Sequence, residues 1–144
     1  MTTYLVIGAG RFGLRLVQEL QKTGAAVDVI DKEPTVGCFL KGKYRLFCAN
    51  VWNLPNIPGL DVRAYDACYL CMQTETWAMT HIVGQLRAAG ARRIVVRTDG
   101  SRQGAAALRA GADEAVCVEA LASRALAQAA ARCEAADSPA DEPV

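Results

Sequence analysis

Residues 4–13 read Tyr4-Leu5-Val6-Ile7-Gly8-Ala9-Gly10-Arg11-Phe12-Gly13, and residues 26–31 read Ala26-Val27-Asp28-Val29-Ile30-Asp31. A helical pattern runs between them. The order is strand, glycine turn, helix, strand, with an acid at the tip of the second strand. Such a unit builds a phosphate cradle from main chain and a ribose hook from one carboxylate. Gly8 permits the tight turn out of the first strand. Gly10 lets a diphosphate approach the backbone, and Gly13 lets the helix lie close to the sheet. The helix N-terminus adds unpaired N–H groups and the positive end of its dipole. Asp31 follows Gly13 by eighteen residues, near the spacing of about 20 expected of a ribose-binding acid. Its carboxylate would accept both ribose hydroxyls and repel a 2′-phosphate, although Lys32 next to it weakens that repulsion. Arg11 sits at the mouth of the helix, where a cation is unfavourable without an anion nearby. Its guanidinium would grip a terminal phosphate through two parallel hydrogen bonds. The unit therefore points to a bound adenine nucleotide.

Composition narrows the setting. The 144 residues suffice for one domain with a sizeable core, and 52% of them are hydrophobic. The net charge of +1 offers no basic footprint for nucleic acid. The chain enters a strand at once, so no signal peptide is expected. No apolar run approaches the roughly 20 residues that span a bilayer. A cytoplasmic protein is expected, free to dock on a membrane protein.

The six cysteines are Cys38, Cys48, Cys68, Cys71, Cys117 and Cys133. Cys68 and Cys71 form a CxxC inside the apolar run Ala67–Met72, which reads as a strand. Residues three apart on a strand face opposite ways, about 10 Å apart, and share neither a zinc ion nor a disulfide. They read as small buried hydrophobes. His81 is the only histidine, and no second metal-ligand pattern accompanies it.

Further along, the first helix is expected to run from Arg11 to about Thr23, with Phe12, Leu16, Val17 and Leu20 inward, and to stop at Gly24. Pro34, Gly37 and Gly42 allow only a short helix over 33–42. Tyr44–Ala49 reads as a third strand, and 51–60, with Pro55, Pro58 and Gly59, as loop. Asp66–Met72 reads as a central parallel strand, apolar on both faces. Thr74–Ala89 reads as a helix facing the sheet through Met79, Ile82, Val83 and Leu86. A strand over Arg93–Arg97, a helix over Ser101–Ala110 closed by Gly111, a strand over Glu114–Val118 and an alanine-rich helix from Glu119 to about Ala135 complete the pattern. The acidic tail 136–144 is expected to be disordered. The prediction is one α/β domain over 1–135, a Rossmann-like doubly wound parallel sheet of about six strands in the order 3-2-1-4-5-6. The ligand belongs at the switch between strands one and four.

These residues resemble the KTN/RCK family, the Trk-type N-terminal nucleotide-sensing domains of bacterial potassium channels and transporters. The similarity spans roughly Thr3 to Ala130. It is carried by Gly8-Ala9-Gly10-Arg11-Phe12-Gly13, by Val29-Ile30-Asp31, by Ala49-Asn50-Val51, and by Gly111-Ala112-Asp113-Glu114-Ala115-Val116 leading to Val118-Glu119. The resemblance implies that Arg11 meets phosphates, Asp31 the ribose and Asn50 the adenine edge. It also places Arg97 and Glu119 near the pocket or a subunit boundary. Together with the motif, it makes Gly8, Gly10, Arg11, Phe12, Gly13, Asp31, Lys32, Asn50, Val51, Arg97 and Glu119 the candidate binding residues. The implied ligand is NAD(H), ATP, ADP or AMP. The implied partners are a second copy of the chain, as a homodimer or higher homo-oligomer, and a membrane potassium channel or transporter. The family's second, smaller C-terminal module has no counterpart in these residues, and Ala49 stands where the family usually has glycine.

Three functional classes remain. One is a nucleotide-binding regulatory module that biases two subunit arrangements without chemistry. Another is a small NAD-dependent oxidoreductase or a fragment of one, for which the sequence offers no evident proton-transfer constellation. The third is an interaction scaffold with a vestigial pocket, a reading that Val51 and Trp52 would suit. Trp52 either caps the adenine pocket or plugs the loop. Trp77 and His81, one helical turn apart and opposite the buried stripe, read as a partner surface or as packing against a neighbouring loop.

Overall fold

The computed structural model describes residues 1–137. Its strands are β1 (Thr3–Ile7), β2 (Ala26–Asp31), β3 (Leu46–Cys48), β4 (Ala67–Leu70), β5 (Ile94–Thr98) and β6 (Glu114–Cys117). Its α-helices are α1 (Arg11–Lys22), α2 (Thr76–Ala88), α3 (Ser101–Ala110) and α4 (Val118–Asp137). Short 3₁₀ turns cover Pro34–Phe39, Val51–Asn56 and Val62–Ala64. All six strands pair in parallel, in the order β3-β2-β1-β4-β5-β6. This is the sheet expected from the sequence, with its switch point between β1 and β4.

Alternation along the strands makes two cores. On one face Leu5, Ile7, Cys68, Leu70, Ile94 and Val96 pack with Met79, Ile82, Val83 and Leu86 of α2 and Ala107 of α3. On the other, Val6, Val27, Val29 and Cys71 pack with Val17 of α1. Cys68 and Cys71 thus lie in different cores. Burial pushes each thiol up to about 12, so neither is a thiolate at neutral pH.

Several boundaries differ from expectation, among them β4, which stops at Leu70 rather than Met72, and α2, which starts at Thr76 rather than Thr74; two others have a visible cause. β3 starts at Leu46 rather than Tyr44. The Arg45 N–H donates to the Asp28 carboxylate at 3.0 Å instead of to the backbone of β2, and the Tyr44 hydroxyl turns to the Gly37 carbonyl. The last helix runs through Ala136 and Asp137, because its alanine-rich sequence favours helix to the end. The expected tail therefore loses its first two residues to α4, and 138–144 lie outside the described residues.

Candidate nucleotide site

The site is built where β1 ends. Gly8 adopts φ +88°, and a Cβ there would stand 2.9 Å from Cβ of Met72. Glycine is required for both reasons. The Leu14 N–H donates to the Gly10 carbonyl at 2.9 Å, which starts α1. The N–H groups of Arg11, Phe12 and Gly13 have no intrahelical acceptor, nor any other among the described residues. A Cβ on Gly10 would meet nothing within 4 Å, whereas one on Gly13 would collide with the Gly8 carbonyl oxygen. Gly10 thus faces open space and Gly13 holds the helix against the turn, the division of labour expected from the motif.

Asp31 ties the loop to the second strand. One carboxylate oxygen accepts the Ala9 N–H at 2.7 Å and the other the Glu33 N–H at 2.9 Å. Each oxygen has a second lone pair, so the anchored carboxylate retains capacity for ligand hydroxyls. The Asn50 side chain accepts the Trp52 N–H at 3.1 Å and caps the 3₁₀ turn Val51–Asn56. Gln85 of α2 donates to the Trp52 carbonyl at 3.1 Å.

A cavity of about 610 Å³ opens at this crevice, within the usual range for ligand pockets. Its wall carries Ile7, Gly8, Gly10, Arg11 and Phe12 from the first turn, and Ile30, Asp31 and Lys32 from β2. Ala49, Asn50, Val51 and Trp52 follow β3, Cys71, Met72 and Gln73 follow β4, and Arg97 comes from β5. Three cations face one carboxylate, so the wall suits an anion. Of the candidate residues, Gly13 and Glu119 are not on it. Gly13 lies behind the turn, and Glu119 sits on the first turn of α4, 3.6 Å from Arg97. Met72 and Gln73 escaped the sequence reading. Their position just past the central strand at the switch point is the signal that would have found them.

Trp52, Trp77 and His81 form one aromatic cluster. Trp52 lies 5.3 Å from Trp77 and 4.7 Å from His81, ring centre to ring centre. Trp77 and His81 therefore pack against the neighbouring loop, with Trp77 still 66% exposed. Trp52 belongs to both this cluster and the cavity wall. No group of metal-ligating side chains occurs among the described residues, and none of the described helices is long and apolar enough to cross a membrane.

The model of the TrkA-N domain family matches residues 4–118. No curated protein sequence matches the chain. Among solved structures, the chain resembles the TrkA-N domain of the inner membrane protein ybaL from Escherichia coli. That match has TM-score 0.77 and 21% identity, over 88% of this chain and 95% of that one. It equally resembles the NAD(P)-binding domain of an exopolyphosphatase-related protein from Archaeoglobus fulgidus, with TM-score 0.77 and 22% identity over 92% and 99%. The GsuK channel, solved bound to NAD and also bound to ADP, matches with TM-score 0.67 and 14% identity. There the match covers 80% of this chain but only 21% of the NAD-bound channel chain.

Proposed function

The chain belongs to the TrkA-N domain family, and on that premise we propose that it is an adenine-nucleotide-binding regulatory module of a potassium-transport system. The single observation that carries the reading is the crevice itself. Unpaired main-chain N–H groups of Arg11 and Phe12 and an anchored Asp31 share one open, cation-lined cavity. The physical chemistry of that pair suits a phosphate and a ribose. The comparison structures support the ligand class, since one is a channel bound to NAD and to ADP.

In this reading Gly8, Gly10 and Gly13 shape the cradle and Arg11 meets the phosphates, with Phe12 beside it. Asp31 holds the ribose with Lys32 at its flank. Asn50 and Val51 border the adenine, and Arg97 stands at the far end of the cavity. NAD(H), ATP, ADP and AMP are the ligands. Binding performs no chemistry; it biases the arrangement of subunits through different affinity for each arrangement. The listeners are a second copy of the chain and a membrane potassium channel or transporter. α4 supports the first of these: no residue of it is buried, and Leu121 and Leu126 are 52% and 72% exposed.

A thermal-shift screen with NADH, NAD, ATP, ADP and AMP tests the reading. A ligand at one hundred times its dissociation constant adds about 2.7 kcal/mol of apparent stability. A rise in Tm with at least one adenine nucleotide is expected. No rise with any of the five returns the chain to the scaffold reading.

A further inference from the structure

Lysine is confined to one part of this chain. Lys22, Lys32, Lys41 and Lys43 are its only lysines, and every later cation is an arginine or His81. Carboxylate pairing also falls to arginine, which supplies the cation in seven of the eight ion pairs among the described residues. Lys22 is the exception, 2.9 Å from Glu19. Arg15 meets the same carboxylate at 3.7 Å, so the group stays net positive. Lys41 and Lys43 are exposed and have no carboxylate partner among the described residues.

Three of the four lysines converge. A second cavity of about 610 Å³, wide open to solvent, lies between the last turn of α1 and the loop 41–43. Its wall carries Lys22, Lys41 and Lys43, with Met1 and the small residues 24–26 between them, and no acid. Gln21 holds the loop in place, its side-chain amide donating to the Lys43 carbonyl at 3.4 Å. The cavity lies at the starts of β1 and β2, on the opposite edge of the sheet from the nucleotide crevice. Apolar side chains stand out beside the charges. Phe39, two residues before Lys41, is 63% exposed, and Met1 is 98% exposed. A discrete phosphate or carboxylate is gripped best by an arginine fork, and this wall has none. Point charges on flexible stems beside exposed apolar groups suit a diffuse anionic surface with hydrocarbon beneath it.

We propose that this face docks on an anionic lipid bilayer, with the three ammonium groups among the headgroup phosphates and Phe39 below them. The proposal goes beyond the nucleotide reading and does not depend on it, because a bilayer on this edge leaves the crevice open.

Co-sedimentation of the full chain with lipid vesicles tests this. Vesicles of equal parts phosphatidylcholine and phosphatidylglycerol bind the wild type, vesicles of phosphatidylcholine alone do not, and added salt weakens the binding. The double variant Lys41→Gln, Lys43→Gln loses about fivefold in affinity per lysine. Phe39→Ser loses about tenfold and keeps the salt dependence. Arg102→Gln with Arg109→Gln, which removes two exposed charges from α3, binds as the wild type does, and ADP leaves binding unchanged. Equal binding to both vesicle types, or equal losses in the lysine and arginine double variants, overturns the proposal. Release by ADP would put the lipid at the crevice and overturns it too. Binding to polyglutamate but not to the mixed vesicles overturns it in favour of an acidic protein partner.

Discussion

Asp31 shows how a candidate binding residue can be held in place by the chain itself. Its two oxygens are held by the amides of Ala9 and Glu33, so the carboxylate is fixed on the rim of the cavity and its position costs no ordering on binding. Gly13 is the opposite case, a residue of the motif with a purely steric task. Gly13→Ala should lower stability by about 1–3 kcal/mol, the usual cost of overpacking, as read by urea denaturation. An unchanged midpoint would mean that α1 does not rest on Gly8. Arg11 is exposed on the cavity rim. Arg11→Ala should weaken ADP and ATP about tenfold, ~1.4 kcal/mol, and leave adenosine nearly untouched in calorimetric titrations. Equal losses for all three would remove Arg11 from the phosphate end. Gly8, Gly10, Arg11 and Asp31 were legible in the sequence because their geometry is set within one local βαβ unit. Met72, Gln73 and the stacking of Trp52 on Trp77 and His81 were not, because each depends on which strands and loops become neighbours.

At the scale of elements, the segment Gly111-Ala112-Asp113, read first as a family signature, is a clamp. The Asp113 carboxylate accepts the Ile94 N–H at 2.8 Å and an Arg87 N–H at 2.6 Å, while Arg87 also donates to the Gly111 and Ala91 carbonyls. It pins the start of β5 and the approach to β6 to the end of α2. The Ile94 amide, and after it the Arg87 guanidinium, hold the Asp113 carboxyl below its usual range. A lowered folded-state pKa stabilises above the unfolded value near 3.9, and that contribution fades as pH falls through the folded value. Asp113→Asn should therefore destabilise the chain at pH 7, and the gap from wild type should narrow as pH falls below the unfolded value and through the lowered folded one, in denaturant melts across pH. A gap that persists in acid would assign the effect to packing. The helices α2 and α3 were legible from period and punctuation. β3 was misjudged at its start because the Asp28 side chain, seventeen residues away, takes the Arg45 amide.

At the scale of the whole molecule, the sheet order followed from the alternation of strands and helices, since parallel crossovers admit few arrangements. What the alternation left open is the use of α4. A helix of about 30 Å with Leu121 and Leu126 in solvent is poorly justified in a lone subunit. The full chain should sediment as a dimer or larger, and the double variant Leu121→Glu, Leu126→Glu as a monomer. A monomeric wild type would separate regulation here from subunit packing. The account as a whole rests on where a nucleotide goes. The most direct measurement is a ¹H–¹⁵N amide spectrum of the full chain titrated with ADP. The account predicts shifts concentrated at Gly10–Gly13, Asp31 and Asn50, with those of Gly13→Ala and Asp31→Ala reduced. Shifts centred elsewhere, or none at millimolar ADP, would contradict it.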